Sequence, residues 1–387
     1  MAKVFWFFFS KKNTSSGFIP VIPAPAAAAA PAPSAHVLIC DDSAVIRAAI
    51  ARILETDPAI RVVARASNGQ AALDALKLHD IDVVVLDIEM PVMDGMTALP
   101  RLLAADPNLR VIMASTLTTR GADIAMRALR LGAADYVPKP SASQVAGDAQ
   151  FGPELIEKVK GLARLRRRAR TLSAPLQKST PHENVPLSLR PAPRQSPLLL
   201  AIGSSTGGPN ALFALVQTLA RAIPVPVVLT QHMPPAFTAI LADHIDKLGV
   251  LPCREGSDGA RLRAGEITLA PGDRHMLVQR DQAGLHVRLN DGPQVNFCRP
   301  AVDPMLDSAC DATGGRVLVV ILTGMGHDGM DGARRIVEQG GAVLAQDEAT
   351  SVVWGMPGAI ARAGLAHAIL PLPQIGTKIL TMLGVRR

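Results

Sequence analysis

From His36 onward, short runs of β-branched and aliphatic residues alternate with segments whose apolar positions recur every three or four residues. The strand-like runs are VLICD (37–41), RVVARA (61–66), DVVVLD (82–87), RVIMAS (110–115) and DYVPKP (135–140). Between them stand SAVIRAAIARILE, NGQAALDALKLH, GMTALPRLLAAD and GADIAMRALRLG, each with an apolar stripe at helical spacing. Five such repeats predict a doubly wound α/β unit with a five-stranded parallel sheet over 36–150. The segment 151–196 reads as a helix with Pro153 in its first turn, then a linker punctuated by prolines. Alternation resumes in 197–387 with LLLAIG, PVVLTQ, RVLVVILTG and GAVLAQD as strands and helices after the first three. Within it, HMLVQRDQAGLHVRLND alternates with period two across an Ala-Gly turn, which predicts a β-hairpin inserted into a second doubly wound α/β domain.

Composition changes this picture in few places. A length of 387 residues suits two domains at roughly 100–200 residues each, and 48% hydrophobic residues exclude wholesale disorder. The formal charge of +7 is concentrated in EKVKGLARLRRRAR (157–170), which is read as the solvated face of a linker helix rather than a nucleic-acid surface. Cys40, Cys253, Cys298 and Cys310 lie far apart with no metal-type spacing, so a reducing, cytoplasmic setting is expected. No apolar run reaches the ~18 residues a membrane helix needs, and no membrane insertion is expected. Residues 1–35, with VFWFFF followed by a Pro/Ala tract, read as a low-complexity, disordered extension.

Candidate chemistry sits at strand ends, where open α/β sheets bind ligands. Asp41 and Asp42 close the first strand and Asp87 the third, and a flavodoxin-like strand order sets those two strands side by side. Clustered carboxylates repel unless a hard dication joins them, and Mg²⁺ prefers carboxylate and water. Ser115 ends the fourth strand and Lys139 the fifth, a hydroxyl and an ammonium able to hold phosphoryl oxygens on Asp87. One aspartate at a strand end is usually a turn or cap residue, but five such positions together are not so explained. The set DD, LDIEMPVMDG, AST and YVPKP resembles the response-regulator receiver family over 36–140. The resemblance implies phosphorylation at Asp87, Mg²⁺ held by Asp42, Asp87 and the Glu89 backbone carbonyl with help from Asp41, switch residues Ser115 and Tyr136, and a cis Lys139–Pro140 bond.

In the second half, GSSTG (203–207) fits G-x-S-x-G at a strand-to-helix turn. Ser205 there would face a helix N-terminus, which favours either a bound phosphate or a developing oxyanion, and the turn alone does not choose. A nucleophilic serine needs an imidazole and a carboxylate to orient it. His232 follows the strand in VVLTQHMPP, and Asp328 lies in the loop VVILTGMGHDGMDGA. A metal reading of His327 beside Asp328 lacks supporting histidine spacing, so no cofactor is expected in this domain. The chain order of α/β-hydrolases would instead call on His367 with Asp303 or Asp328, and His367 lies in an apolar run.

AIGSSTGGP, TQHMP, NFCRPAVDPM, LTGMGHDGMDGA and AQDEATSVVWGMP resemble the CheB-type methylesterase domain across 198–387. With the receiver, the chain resembles the chemotaxis response-regulator protein-glutamate methylesterases. The resemblance implies Ser205 as nucleophile, His232 as base and acid, Asp328 as its orienter, and Thr206 as support for the serine loop. The Met325 backbone N–H would be an oxyanion donor, with that of His232 as a second candidate. It also implies demethylation and deamidation of methyl-accepting chemoreceptors under control of a chemotaxis histidine kinase, and no nucleic-acid partner. Two rival classes are a receiver-regulated binding module and a serine hydrolase of small soluble esters.

Overall fold

The computed structural model describes residues 35–115, 118–139, 151–172, 189–191, 195–219 and 223–385. The N-terminal extension apart from Ala35, the linker over 173–188 and the Lys139–Pro140 bond lie outside these residues.

The first sheet runs β1 (Ala35–Cys40), β2 (Ile60–Ala66), β3 (Val83–Asp87), β4 (Arg110–Ser115) and β5 (Asp135–Pro138), all parallel in the order β2-β1-β3-β4-β5. Every residue of the VVVLD strand is buried, as expected of a central parallel strand covered on both faces. The connecting helices are α1 (Ala44–Leu54), α2 (Gly69–Leu78), α3 (Gly95–Ala105) and α4 (Thr119–Arg130). Ser43, Asn68, Asp94 and Thr118 cap them, each accepting a backbone N–H from the first turn.

Helix α5 (Phe151–Leu172) corrects the reading of the basic run as a solvated linker face. Leu155, Val159, Leu162 and Ala163 recur on one stripe and are buried against β1 and β3, so α5 is the fifth helix of the first domain's layers. Several of its basic side chains are held by acidic partners. Arg166 is buried against Asp82 at 3.0 Å, Asp106 at 2.7 Å and the Ile81 carbonyl, and Lys158 is buried against Asp135 and Glu154. Arg164 reaches across to Glu348 at 3.0 Å.

The second sheet comprises β6 (Leu199–Ser204), β7 (Val227–Gln231), β8 (Cys253–Glu255), β9 (Ile267–Leu269), β12 (Val317–Ile321), β13 (Ala342–Gln346) and β14 (Ala368–Leu370), ordered β14-β13-β12-β6-β7-β9-β8 and parallel throughout. The inserted hairpin is a separate antiparallel pair, β10 (His275–Asp281) and β11 (Gly284–Asn290), turning at Gln282 and Ala283, one residue earlier than the pattern suggests. Helices α6 (Gly208–Thr218), α7 (Pro235–Asp246), α8 (Val302–Thr313), α9 (Met330–Glu338), α10 (Met356–Arg362) and α11 (Leu372–Met382) cover the faces. Strand order reverses at β6, with β12 on one side and β7 on the other. A crevice therefore opens beyond the carboxyl ends of these three strands.

The first domain docks on α6 and α7 of the second through α4 and β5. Tyr136 stacks on Phe237 of α7 with ring centroids 4.7 Å apart, and Asn210 of α6 donates to the carbonyls of Ala133 and Ala134 at 2.8 and 3.0 Å. Among the described residues no helix is long and apolar enough to cross a membrane.

Candidate active site

Ser205 follows β6 directly, and its turn is built from two glycines that cannot be exchanged. Gly207 has φ 74°, in the left-handed region, and a side chain on Gly208 would land on the Gln231 carboxamide. Gln231 itself ties the turn together: its Oε1 accepts from the Ser204 hydroxyl at 2.6 Å, and its Nε2 donates to the Ser205 carbonyl at 2.9 Å. The Ser205 amide donates to Thr323 O at 3.0 Å, and the Thr323 hydroxyl donates to Thr206 O at 2.9 Å, fixing the turn to the β12 loop. Among the described residues the N–H groups of Thr206 and Met325 meet no protein acceptor. The His232 amide, in contrast, donates to Ser204 O at 3.1 Å, which removes it as an oxyanion donor.

His232 follows β7, and its Nε2 lies 2.7 Å from Asp328 Oδ2. Asp328 is buried, yet nearly every lone pair is met. Oδ2 also accepts from the Val302 amide at 2.6 Å, while Oδ1 accepts from the amides of Asp303 at 3.1 Å and Gly329 at 3.0 Å and from Asn296 Nδ2 at 3.1 Å. Val302 and Asp303 open α8, whose preceding residue, Ala301, offers no side-chain cap. The carboxylate is therefore also the cap of a helix N-terminus, where negative charge is favoured. Burial works against its charge, but His232 and these amides outweigh it and hold the carboxyl at about 2. Burial likewise opposes charge on His232, and Asp328 and Cys298 overcome it to push the imidazole above its ordinary value.

Ser205, Thr206, His232 and Met325 line one cleft of about 600 Å³. Among the described residues no hydrogen bond joins the Ser205 hydroxyl to His232. The ring's Nδ1 instead faces Cys298 Sγ at 3.3 Å. His367 is half-buried and its Nδ1 accepts from the Val343 amide at 3.1 Å, while Asp303 accepts from the Gly332 amide and Asn296, so neither forms part of the imidazole's relay. Burial and the neighbouring Asp328 raise the Asp303 carboxyl to about 6.

In the first domain, the carboxylate oxygens of Asp41, Asp42 and Asp87 lie within 4.8 Å of one another. Lys139 Nζ sits 2.6 Å from Asp87 and 3.3 Å from Asp41. Burial disfavours the charge on Lys139, but the two aspartates hold the ammonium above its usual range; burial raises Asp87 despite the lysine. The buried Asp41 Oδ2 makes no hydrogen bond and meets only the Lys139 ammonium at 3.3 Å, so a dication beside it would complete its surroundings. The cluster is thus consistent with a Mg²⁺ site. Glu89 is exposed two residues beyond Asp87. The Ser115 hydroxyl donates to the Gly121 carbonyl of α4 at 2.8 Å, and the Tyr136 ring is buried against α7.

The two sites are physically linked through residues that carry no sequence signature. Asp135, next to Tyr136, is buried; its Oδ2 accepts the Gly207 amide of the serine turn at 3.1 Å and lies 3.4 Å from Lys158 Nζ. Tyr136 and Pro138 of the first domain, with Pro153 and Glu154 of α5, line the same cleft as Ser205. Asn296, Cys298 and Asp135 escape sequence reasoning because their roles depend on loops and a domain contact that periodicity does not describe. The nearest signal for the first two is the NFCRP run itself.

Residues 37–147 match the response regulator receiver domain model, and residues 200–379 match the CheB methylesterase model. A protein-glutamate methylesterase/protein-glutamine glutaminase of Paramagnetospirillum magneticum is 50% identical, the alignment covering 90% of this chain and 96% of the relative. One from Rhodospirillum centenum is 52% identical over 88% of this chain and 92% of the relative. The crystal structure of the Thermotoga maritima CheB methylesterase catalytic domain is 38% identical, covers 49% of this chain and 100% of that one, and has a TM-score of 0.47. With a receiver joined to a methylesterase domain and half of its residues shared with such relatives over nine-tenths of its length, the chain belongs to the CheB family of protein-glutamate methylesterases/protein-glutamine glutaminases.

Proposed function

We propose that Ser205 is the nucleophile, His232 the general base and acid, and Asp328 the group that holds the imidazole's tautomer. The observation that carries this reading is the Asp328–His232 pair at 2.7 Å, set in one cleft with a serine on a strand-to-helix turn. Asp328, ionised, accepts the Nε2 proton and leaves a lone pair on Nδ1. That nitrogen takes the serine proton as Oγ attacks the γ-carbonyl of a glutamyl methyl ester, and returns it to the departing methanol. The amides of Thr206 and Met325 receive the oxyanion, each worth about 2.7–4 kcal/mol of transition-state stabilisation. Water then releases the glutamate, and a glutamine side chain follows the same course with ammonia leaving.

The substrate is the helical cytoplasmic part of methyl-accepting chemoreceptors, and the enzyme works in the cytoplasm. A chemotaxis histidine kinase supplies the phosphoryl group taken up by Asp87. Asp42, Asp87 and the Glu89 carbonyl, assisted by Asp41, would hold Mg²⁺, which when bound would supply positive charge to the phosphoryl oxygens. New bonds from the phosphoryl group to Ser115 and Lys139 then shift β5, and with it Tyr136 and Asp135, off the catalytic domain. The functional units are the receiver of 36–150 with α5 packed on it as its last helix, the remainder of 151–196 as linker, and 197–387. Methanol release from methylated receptor membranes, with and without a small phosphodonor, is the test. Ser205→Ala should abolish it in both conditions while Asp87 still takes up phosphate; retained turnover would refute the assignment.

A further inference from the structure

We propose that Cys298 is a positioning residue for His232, its thiol occupying the imidazole nitrogen that Ser205 has to use. This rests on the reading of Ser205, His232 and Asp328 as nucleophile, base and orienter. An ionised carboxylate only accepts, so the ring donates from Nε2 to Asp328 and its lone pair lies on Nδ1. Cys298 Sγ stands 3.3 Å from that atom, whereas the Ser205 hydroxyl makes no hydrogen bond to the ring among the described residues.

The thiol is held there deliberately by its loop. Val295 and Cys298 exchange backbone hydrogen bonds at 3.1 and 2.9 Å around Asn296 and Phe297, whose φ values of 51° and 62° fall in the left-handed region. Asparagine tolerates that region, but a bulky residue such as Phe297 carries strain there. Asn296 offsets it by donating to Asp303 at 2.9 Å and Asp328 at 3.1 Å, and Arg299 anchors the far side on Asp273 at 2.6 Å. One loop therefore fixes both the carboxylate behind the imidazole and the thiol in front of it.

The consequence is competition for a single lone pair. A thiol gives up its proton far more readily than an alcohol. When the S–H bond breaks toward Nδ1, an N–H bond forms and the pair becomes thiolate and imidazolium, with no net change in charge or electrons. A base already protonated cannot accept from Ser205. Cys298 thus restrains the resting enzyme until bound substrate brings the serine into register. The titratable groups facing the ring are Asp328 from the β12–α9 loop and Cys298 from the loop before α8; Asp303 lies behind Asp328, and Arg299 turns away to Asp273. Both facing groups raise the imidazole's proton affinity, so removing the thiol lowers it.

The experiment measures kcat and KM for methanol release across pH with the full chain, comparing wild type, Cys298→Ala and Cys298→Ser. The alanine variant should shift the acid limb of kcat/KM down by roughly half a pH unit or more and raise kcat at neutral pH about two- to tenfold, with KM unchanged. The serine variant, a donor of far weaker acidity, should fall between and serves if the alanine variant does not fold. Iodoacetamide supplies an independent arm on the unmutated protein: the sulfur–carbon bond forms, iodide leaves, and the thiol proton passes through His232 to solvent. Cys298 should be alkylated before the buried Cys40, Cys253 and Cys310, with loss of activity that Cys298→Ser escapes. Superimposable pH profiles, alkylation of Cys298 without effect, or a Cys298→Ala enzyme as inactive as Ser205→Ala would each overturn the proposal. An active Ser205→Ala enzyme would instead overturn the triad beneath it.

Discussion

Asp135 ties the receiver to the serine turn, and removing its carboxylate should raise the unstimulated activity. The residue is 1% exposed; Oδ1 accepts from its neighbour Tyr136 N at 2.8 Å and Oδ2 from Gly207 N at 3.1 Å. A hydrogen bond to a charged acceptor contributes about 1.5–3 kcal/mol, so losing the Gly207 bond weakens docking by roughly 10- to 100-fold. If about one molecule in a hundred is undocked at rest, that change puts roughly 10–50% in the open state. Asp135→Ala alone would also strand Lys158, whose ammonium is buried between Asp135 at 3.4 Å and Glu154 at 3.0 Å. Breaking one side of a buried pair costs about 3–5 kcal/mol, enough to confuse release with unfolding.

The informative variant is therefore Asp135→Ala with Lys158→Met, which removes both buried charges and keeps the aliphatic stem packed. Methanol release without phosphodonor should rise about tenfold or more, and stimulation by phosphodonor should shrink in proportion. A thermal melt close to that of the wild type establishes that the chain is folded. A folded double variant with basal release within about twofold of wild type and full stimulation would show that the carboxylate does not govern docking.

Four further outcomes are expected. Asn296→Ala removes the amide shared by Asp303 and Asp328, leaving two carboxylates facing each other, and should lower kcat by roughly 10- to 100-fold with little change in KM, read from initial rates. The proposed role of His232 requires a neutral ring to accept the serine proton, and since its pKa is raised, kcat/KM should climb with pH through a value above that of an ordinary histidine. Asp328→Asn removes that support, so the limb should move toward acid while kcat falls roughly 10³–10⁴-fold. Chelation of Mg²⁺ should abolish stimulation by phosphodonor and leave basal methanol release untouched, since the acidic cluster lies in the receiver and not among the residues lining the catalytic cleft.

What the sequence reveals follows from the range over which each physical signal acts. Strands such as VVVLD and VVLTQ declare themselves because burial on both faces demands unbroken apolar runs, and the strand ends then place Asp87 and His232 without further information. β8, β9 and β14 are three residues each, too short for any period to register. The basic run misleads for a related reason: composition reports charge, but the partners that bury Arg166 and Lys158, namely Asp82, Asp106 and Asp135, are supplied from the sheet and its loops 23 to 84 residues away. Asp328 is legible as a loop carboxylate, whereas its ability to stay ionised while buried depends on the start of α8 folding back to offer Val302 N and Asp303 N. The same fold-back carries Cys298 to the other face of the imidazole. Hence the groups proposed for the chemistry are visible in local pattern, and the groups that surround the imidazole and join the serine turn to the receiver become visible only once distant segments are packed.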